Sequence, residues 1–148
     1  MASEMFSGHI PGPKRKRTAL PGDAAERKAI PLVRGLLDYF PAALIAVAKV
    51  SLAGNLQHGH GTNDLHWERG KSSDHADCVV RHLLERGKPD SDGLSHTAKV
   101  AWRALALLQE ELEAAGAPLA RGARPSGKQS TEVDERGGAK GRGGLEGD

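Results

Sequence analysis

The chain contains few of the features that define secreted, disulfide-bonded or membrane-spanning proteins. It has a single cysteine, Cys78, so a disulfide framework within the chain is excluded. Its longest apolar stretch, residues 42–50, includes Lys49 and is far too short to cross a bilayer. The first residues contain no hydrophobic segment of the signal-peptide type. We therefore expect a cytoplasmic protein in a reducing compartment, with no membrane partner.

Several common catalytic motifs are also missing. The chain has no Gly-x-x-x-x-Gly-Lys-Ser/Thr phosphate loop, no Gly-x-Ser-x-Gly hydrolase turn and no His-Glu-x-x-His zinc motif. It has no Cys-x-x-Cys pair either, which argues against a structural zinc site. No segment of useful length alternates apolar and polar residues, so strands are not predicted. These absences favour an all-α protein.

Composition divides the chain into a central domain and two tails. Residues 1–25 contain several prolines and a basic run at 14–17, and residues 116–148 are rich in glycine. Such segments cannot bury enough apolar surface to offset the entropy of ordering, so both are predicted to be flexible. The folded domain should span residues 26–115. A core this small is often completed by oligomerisation, and we expect a homo-oligomer.

The formal net charge of +2 is distributed unevenly, because the run at 14–17 carries a concentrated positive charge. Such a run can bind nucleic acid or act as a localisation signal. A solvated tail is the commoner outcome, so nucleic acid is not the partner that we expect.

The first predicted helix lies in the middle of the chain. It begins at Pro41, because proline suits the first helical turn, and it ends at Gly54, because glycine favours a helix stop. Residues 55–71 contain several glycines and are predicted to form a long polar loop. Loops of this length inside small domains tend to be functional.

Two further helices follow the loop. The second is predicted over residues 73–86, with Ser72 or Ser73 accepting hydrogen bonds from the first free amides. The third spans residues 95–115, where apolar residues recur at helical spacing until Gly116. The prediction is an all-α domain of three to four helices.

Histidines are concentrated around the loop and the second helix. Six of the seven lie between His58 and His96, together with several aspartates. This crowding suggests a polar site for a metal ion or a phosphate, with a solvated, His-rich surface as an equal alternative. His75 and His82 share a helix face with Cys78. They lie about 10 Å apart at 1.5 Å per residue, which is too far to ligate one ion directly.

Two short stretches suggest more specific chemistry. Arg81 and His82 could donate to phosphate oxygens. The alternative is that Arg81 pairs with Asp77 and that His82 is a buried, hydrogen-bonded histidine. Asp92 and His96 flank the start of the third helix. A carboxylate there could hold a hard cation, or it could serve only as a turn or cap residue.

The order of these motifs resembles the dATP/dGTP diphosphohydrolase N-terminal domain family, which is frequent in phages and prophage-bearing bacteria. The resemblance covers about residues 30–113 and rests on blocks that are fairly specific as a set. These blocks are Asp38-Tyr39-Phe40-Pro41, Val47-Ala48-Lys49-Val50, Gly54-Asn55, Gln57-His58, His66-Trp67, residues 70–77, Arg81-His82-Leu83, Asp92-Gly93, His96 and residues 98–105.

The resemblance implies an all-helical enzyme of phage nucleotide metabolism. It would cleave dATP or dGTP between the α- and β-phosphates, with a divalent metal, Mg²⁺ or Mn²⁺, and would release the monophosphate and pyrophosphate. The implied metal ligands are Asp74, Asp77 and Asp92. The implied catalytic residues are His82 and His96, with His96 near the attacking water. The implied substrate-binding residues are Lys71, Arg81, Trp67, Asn55 and His58, with Trp67 stacking on the base.

The first helix departs from the pattern that this activity implies. Helical nucleotide pyrophosphohydrolases generally hold Mg²⁺ with carboxylates on facing helices. Here, no carboxylate lies between Asp38 and Asp64, and Ala42 and Ala46 occupy the first helix. The alternative hypothesis is a non-catalytic helical module that binds nucleotide or assembles without hydrolysis.

Overall fold

A computed structural model describes Lys16 and residues 18–124. The basic run at 14–17, apart from Lys16, and the chain after Arg124 lie outside the described residues. The described part is mostly helical, as predicted, with a very small parallel sheet. Its helices are α1 (Ala24–Ala29), α2 (Pro41–Gln57), α3 (His75–Leu84) and α4 (His96–Ala114), and its strands are β1 (Trp67–Glu68) and β2 (Ala123–Arg124).

A short helical segment precedes α2. The carboxylate of Asp23 accepts hydrogen bonds from the backbone amides of Ala25 and Glu26, which caps the start of α1. A single π-helical turn follows at Val33–Leu37, and the amide of Asp38 closes it. Helix α1 thus begins two residues before the predicted boundary at residue 26.

Helix α2 begins at Pro41 as predicted but continues past the predicted stop at Gly54 to Gln57. The first glycine after α2 with a left-handed conformation is Gly59, at φ 80°. The extra turn is held by the buried amide of Asn55. Its Nδ2 donates to the carbonyl of Gly61, and its Oδ1 accepts from the backbone amide of His66.

Helix α3 is shorter than predicted at both ends. Ser72 and Ser73 do not cap it, because the residue at the N-cap is Asp74 and no side chain accepts a hydrogen bond there. The hydroxyl of Ser72 instead donates to the carboxylate of Asp74. Gly87, at φ 83°, follows its other end. Helix α4 starts as predicted, with the Ser95 hydroxyl accepting from the amide of Thr97.

Helix α4 is the centre of the domain, since it packs against both α3 and α2. The indole of Trp102 on α4 donates to the hydroxyl of Ser51 on α2, with a distance of 2.8 Å. The apolar core is small. Cys78 and Ala106 are the buried apolar residues of the described chain. The region between α2 and α3 lies against α4 through the ring contact of Trp67 with Trp102 and through polar contacts such as that of Arg69 with Glu113.

The chain after α4 returns to the region between α2 and α3. Strand β2 pairs in parallel with β1, with Trp67 opposite Ala123, and the amide of Trp67 donates to the carbonyl of Gly122 at 2.7 Å. This segment falls in the part assigned to the Gly-rich tail. It could not be predicted from the sequence, because a two-residue strand is too short to show a periodic pattern.

Helix α2 presents apolar side chains that the described chain does not cover. Ile45 and Leu56 are 60% and 50% exposed, and Leu52 shares their side of the helix. Among the described residues, no single helix is both long and apolar enough to cross a bilayer. The bent pair Ala24–Leu37 and Pro41–Gln57 passes that test of length and composition only when taken together.

Candidate functional site

A cleft of about 320 Å³ lies between the end of α2, the loop that follows it and the first half of α4. It is lined by six of the residues that the sequence analysis singled out, which are Asn55, His58, Trp67, Lys71, His82 and Asp92. Glu68, Lys99 and Arg103 are charged residues of the lining that were not predicted to have a role in this site. The cleft therefore brings residues of the loop, of α3 and of α4 together at one place.

Three cationic side chains line this cleft, which are those of Lys71, Lys99 and Arg103. Lys99 and Arg103 are four residues apart on α4, so they lie one turn apart on the same helix face. Both belong to a block that carries the family resemblance, and this i, i+4 spacing of two cations was the signal that could have identified them. Together the three side chains make the cleft suitable for a polyanion.

Arg103 is held in place by several neighbours. Its Nη1 donates to the hydroxyl of Ser72 at 2.6 Å and lies 3.2 Å from Nδ1 of His75. Its guanidinium also lies 5.3 Å from the centre of the Trp102 ring. His75 is 2% exposed, and its Nε2 lies 3.6 Å from a carboxylate oxygen of Glu110. This buried histidine therefore supports Arg103 and does not itself line the cleft.

Lys99 lies between two carboxylates. Its ammonium nitrogen is 2.6 Å from Oδ2 of Asp90 and 2.7 Å from Oδ2 of Asp92. The hydrogen bond from Lys99 is the main reason that the pKa of each aspartate lies below its usual value. Both aspartates therefore remain ionised at neutral pH. Asp90, which the sequence analysis did not choose, is the less exposed of the two.

His82 and His96 form a close pair beside Lys99. Their Nδ1 atoms are 2.9 Å apart, which is the distance of a hydrogen bond with one shared proton. Burial, followed by the charges of His96 and Lys99, lowers the pKa of His82 below its usual value. His82 lines the cleft, and His96 reaches it through His82. The two residues predicted to be catalytic are therefore adjacent.

Trp67 lies at the side of the cleft and is half-buried. Its ring centre is 5.9 Å from that of Trp102 in an edge-on arrangement, and the guanidinium of Arg69 lies 4.3 Å from it. Arg69 therefore covers part of the indole that was predicted to stack on a base.

Three residues predicted to contact metal or phosphate lie outside the cleft lining. Arg81 donates to the carboxylate of Asp74 at 2.6 Å, so it pairs with Asp74 and not with Asp77. That hydrogen bond is the main reason that the pKa of Asp74 lies far below its usual value. Asp77 is exposed on α3. Because Asp92 lines the cleft and the other two do not, the three predicted metal ligands do not converge.

A second group of polar residues lies in the loop at the other side of the cleft. His60 and His66 line the cleft, and their ring centres are 4.4 Å apart. Asp64 lies between them in the sequence and pairs with Arg124 of β2 at 2.8 Å. The side chain of His66 is only 7% exposed. His60 and His66 are therefore partly buried residues of the cleft lining.

The groups of metal-ligand atoms among the described residues differ from the ligand set that magnesium prefers. Two groups bring three metal-ligand atoms together, His60 with Asp64 and His66, and His82 with Asp90 and His96. Each offers two imidazoles and one carboxylate. Magnesium prefers six oxygens in octahedral geometry, so neither group fits a protein-held Mg²⁺ ion, and imidazole suits transition-metal ions better.

The comparisons with known proteins identify the family of this chain. A search of the curated proteins and a search of the solved structures found no match. A family model described as dATP/dGTP diphosphohydrolase, N-terminal, matches residues 21–117. That range contains α1 to α4 and every residue of the cleft lining. The chain therefore belongs to the dATP/dGTP diphosphohydrolase N-terminal domain family.

Proposed function

We propose that the cleft binds a purine deoxynucleoside triphosphate and hydrolyses it to the monophosphate and pyrophosphate. The observation that carries the proposal is the convergence of three cations, Lys71, Lys99 and Arg103, with the histidine that heads the His82–His96 pair. The family to which the chain belongs is named for hydrolysis of dATP and dGTP, which supports the choice of substrate.

The cations are the groups that would hold the triphosphate. Arg103 presents a guanidinium already oriented by Ser72 and His75, and such a fork can bind two phosphate oxygens at once. Lys71 is half exposed and its nitrogen lies 3.9 Å from Glu68, so it is free to reorient toward a phosphate. Lys99 would exchange one of its two aspartates for a phosphate oxygen.

The His82–His96 pair would act as the general base. The depressed pKa keeps His82 neutral at pH 7, so the pair can accept a proton from water. The water oxygen then forms a bond to the α-phosphorus, and the bond from this phosphorus to the bridging α,β-oxygen breaks. Pyrophosphate leaves with that electron pair, its charge balanced by the cations of the cleft.

Magnesium has a natural place in this proposal as a companion of the substrate. Mg²⁺ is usually bound by substrate phosphates and one or two carboxylates, and it would neutralise charge on the leaving pyrophosphate. Asp92 is the predicted metal ligand that lines the cleft. Asp74 and Asp77, which do not line it, would then have no part in metal binding.

The direct test is incubation of the purified chain with each dNTP in Mg²⁺, in Mn²⁺ and in EDTA, with products separated by ion exchange. We expect dAMP or dGMP and pyrophosphate in equal amounts, and only with metal. His82→Ala should reduce turnover by roughly 100-fold or more, as is typical for loss of a general base. Arg86→Ala, an exposed cation at the end of α3, is the matched control and should retain activity.

Substitutions of Lys99 and Arg103 should have a different effect in the same assay. Lys99→Met and Arg103→Met should raise the KM for dATP because they weaken phosphate binding, while Arg86→Ala should not. Inorganic phosphate as the product, instead of pyrophosphate, would contradict the proposed cleavage site. Full activity of His82→Ala would overturn the assignment of the base.

The second candidate function is nucleotide binding without hydrolysis. It is favoured by α2, which carries no carboxylate, and by the pairing of Asp90 and Asp92 with Lys99. Binding of a non-hydrolysable dATP analogue, measured by calorimetry, separates the two functions. Tight binding that is weakened in Arg103→Met, with no turnover of any dNTP, would establish the binding module in place of the enzyme.

A further inference from the structure

We propose that His60, Asp64 and His66 form a binding site for a divalent transition-metal ion of the Zn²⁺, Co²⁺ or Ni²⁺ class. Their ligand atoms lie within 4.8 Å of one another. The site would fix the loop between α2 and β1 over the cleft. The inference rests on the donor geometry of this loop and does not depend on nucleotide hydrolysis.

The hydrogen bonding of His66 leaves the correct nitrogen for a metal. Its Nδ1 lies 2.9 Å from the backbone carbonyl of Asp64, so Nδ1 carries the proton and donates it there. Nε2 is then the unprotonated nitrogen. A ring nitrogen fixed in this way by a backbone carbonyl is the usual outer contact of a metal-bound histidine.

His60 has the complementary arrangement. Its Nδ1 lies 4.0 Å from Oδ2 of Asp64, while its Nε2 lies 3.5 Å from a carboxylate oxygen of Glu68. That Nε2 is buried and forms no hydrogen bond. A small rotation of the ring would let Nε2 donate to Glu68, and Nδ1 would then face the site as a ligand.

Asp64 can bind the ion and a protein side chain at the same time. Its Oδ1 accepts the hydrogen bond of Arg124, and its Oδ2 is the oxygen on the side of His60. Carboxylates that bind metals are commonly held by a second partner in this way. Two imidazoles and one carboxylate are a donor set for transition-metal ions. The remaining positions would be filled by water or by a ligand in the cleft.

The surrounding structure favours this group over His82, Asp90 and His96. In that second group the ammonium of Lys99 is already bonded to Asp90, and the two histidines share a hydrogen bond. A cation there must displace another cation. In the loop, Arg124 is bonded to Oδ1 of Asp64 and leaves Oδ2 available, whereas both oxygens of Asp90 already have partners. Glu68 adds a second carboxylate beside His60.

The site can be tested with Co²⁺, whose visible absorption reports its ligands, and with Zn²⁺ in equilibrium dialysis of the full chain. We expect one bound equivalent that is lost in His60→Ala and in His66→Ala. His58→Ala, which removes an exposed histidine of the same loop, should retain it. Glu68→Gln should weaken binding by roughly 10- to 100-fold, as expected for an outer-shell partner.

Two additional variants make the result independent of folding defects. Asp64→Asn keeps the size of the side chain and should abolish the bound equivalent, whereas Arg124→Gln breaks the same ion pair but keeps the ligands and should retain it. The proposal is overturned if Co²⁺ binding is unchanged in His60→Ala, His66→Ala and Asp64→Asn. It is equally overturned if the bound ion disappears only in His82→Ala. Neither outcome depends on whether the chain hydrolyses dNTPs.

Discussion

Nη2 of Arg69 lies 2.6 Å from Oε1 of Glu113, and this ion pair joins the segment after β1 to the last turn of α4. Glu113 is 4% exposed. The same oxygen accepts from the amide of Ala120 and from the side chain of Gln109. One carboxylate therefore fastens the chain after α4 to the domain, although its position opposes the dipole of that helix.

Replacing Glu113 should loosen the chain after α4. Glu113→Ala leaves Arg69 without this buried partner and should lower the free energy of unfolding by roughly 3 kcal/mol in urea titration. Amide exchange should accelerate first at residues 120–124. Glu111→Ala, an exposed acid of the same helix turn, is the control and should change stability by less than about 0.5 kcal/mol. Equal effects of the two substitutions would contradict the role of Glu113.

Asn55 should be the second large contributor to stability. Its buried side chain makes the hydrogen bonds that hold the loop to the end of α2. Asn55→Ala leaves buried backbone groups without partners and should cost about 1–3 kcal/mol. Gln57→Ala, an exposed amide two residues later, should have little effect. Thermal or urea unfolding of the two variants, side by side, is the measurement.

The two glycines at positions 54 and 87 should respond to alanine in opposite directions. Gly54 lies inside α2 with open space around its α-carbon, so Gly54→Ala should stabilise the protein by roughly 0.5–1 kcal/mol. Gly87 also has open space but has φ 83°, so Gly87→Ala should destabilise it by about 1 kcal/mol or more. A stabilising effect of Gly87→Ala would show that the turn after α3 differs from the one described.

The stability of the domain should depend on pH through His82. Its pKa in the folded protein is below the usual 6.5, so protonation favours the unfolded chain. The contribution is complete above pH 6.5 and is lost as the pH falls from 6.5 through the lower folded pKa. Urea titrations between pH 8 and pH 5 should show this loss, and His82→Gln should remove it. The paired aspartates act in a separate window, below about pH 4.

Self-association stays a prediction, and α2 gives it a defined surface. A helix with apolar residues on every side is normally covered on every side, yet Ile45 is 60% exposed. We expect sedimentation to show an oligomer of this chain. Ile45→Lys should shift it to monomer without loss of helix content. Leu84→Lys, at a leucine on α3 that is even more exposed, should leave the oligomer intact. A monomeric parent chain at micromolar concentration would contradict the prediction.

The sequence predicted the starts of α2 and α4 well because each has a local signal. Pro41 starts α2 and Ser95 caps α4, and both signals depend only on neighbouring residues. The stop at Gly54 was predicted wrongly, because the last turn of α2 is held by contacts of Asn55 with residues farther along the chain. A glycine ends a helix only where the backbone turns left-handed, and that occurs at Gly59.

The candidate site was harder to predict from the sequence, because it too depends on contacts between residues that are distant in the chain. His82 and His96 were chosen from motifs, and they are adjacent in the structure. The partner of Arg81 was not predictable from the sequence. Asp74 and Asp77 both lie within two helical turns before Arg81, and only packing decides which of them it contacts. Lys99 was overlooked because its role depends on its contacts with Asp90 and Asp92 in the preceding turn. The distance from Lys99 to these aspartates depends on how that turn folds back toward α4.

The position of Lys99 has a consequence for the kind of anion that the cleft can accept. A bare polyanion that takes this ammonium leaves two aspartates without their cation, so the repulsion between their charges offsets part of what the new contact contributes. An anion that arrives with its own divalent counter-ion brings positive charge to replace what is removed. In the proposed function, the lysine would thus act as an exchange point for counter-ions, and it would favour a metal-complexed ligand over the same ligand without metal.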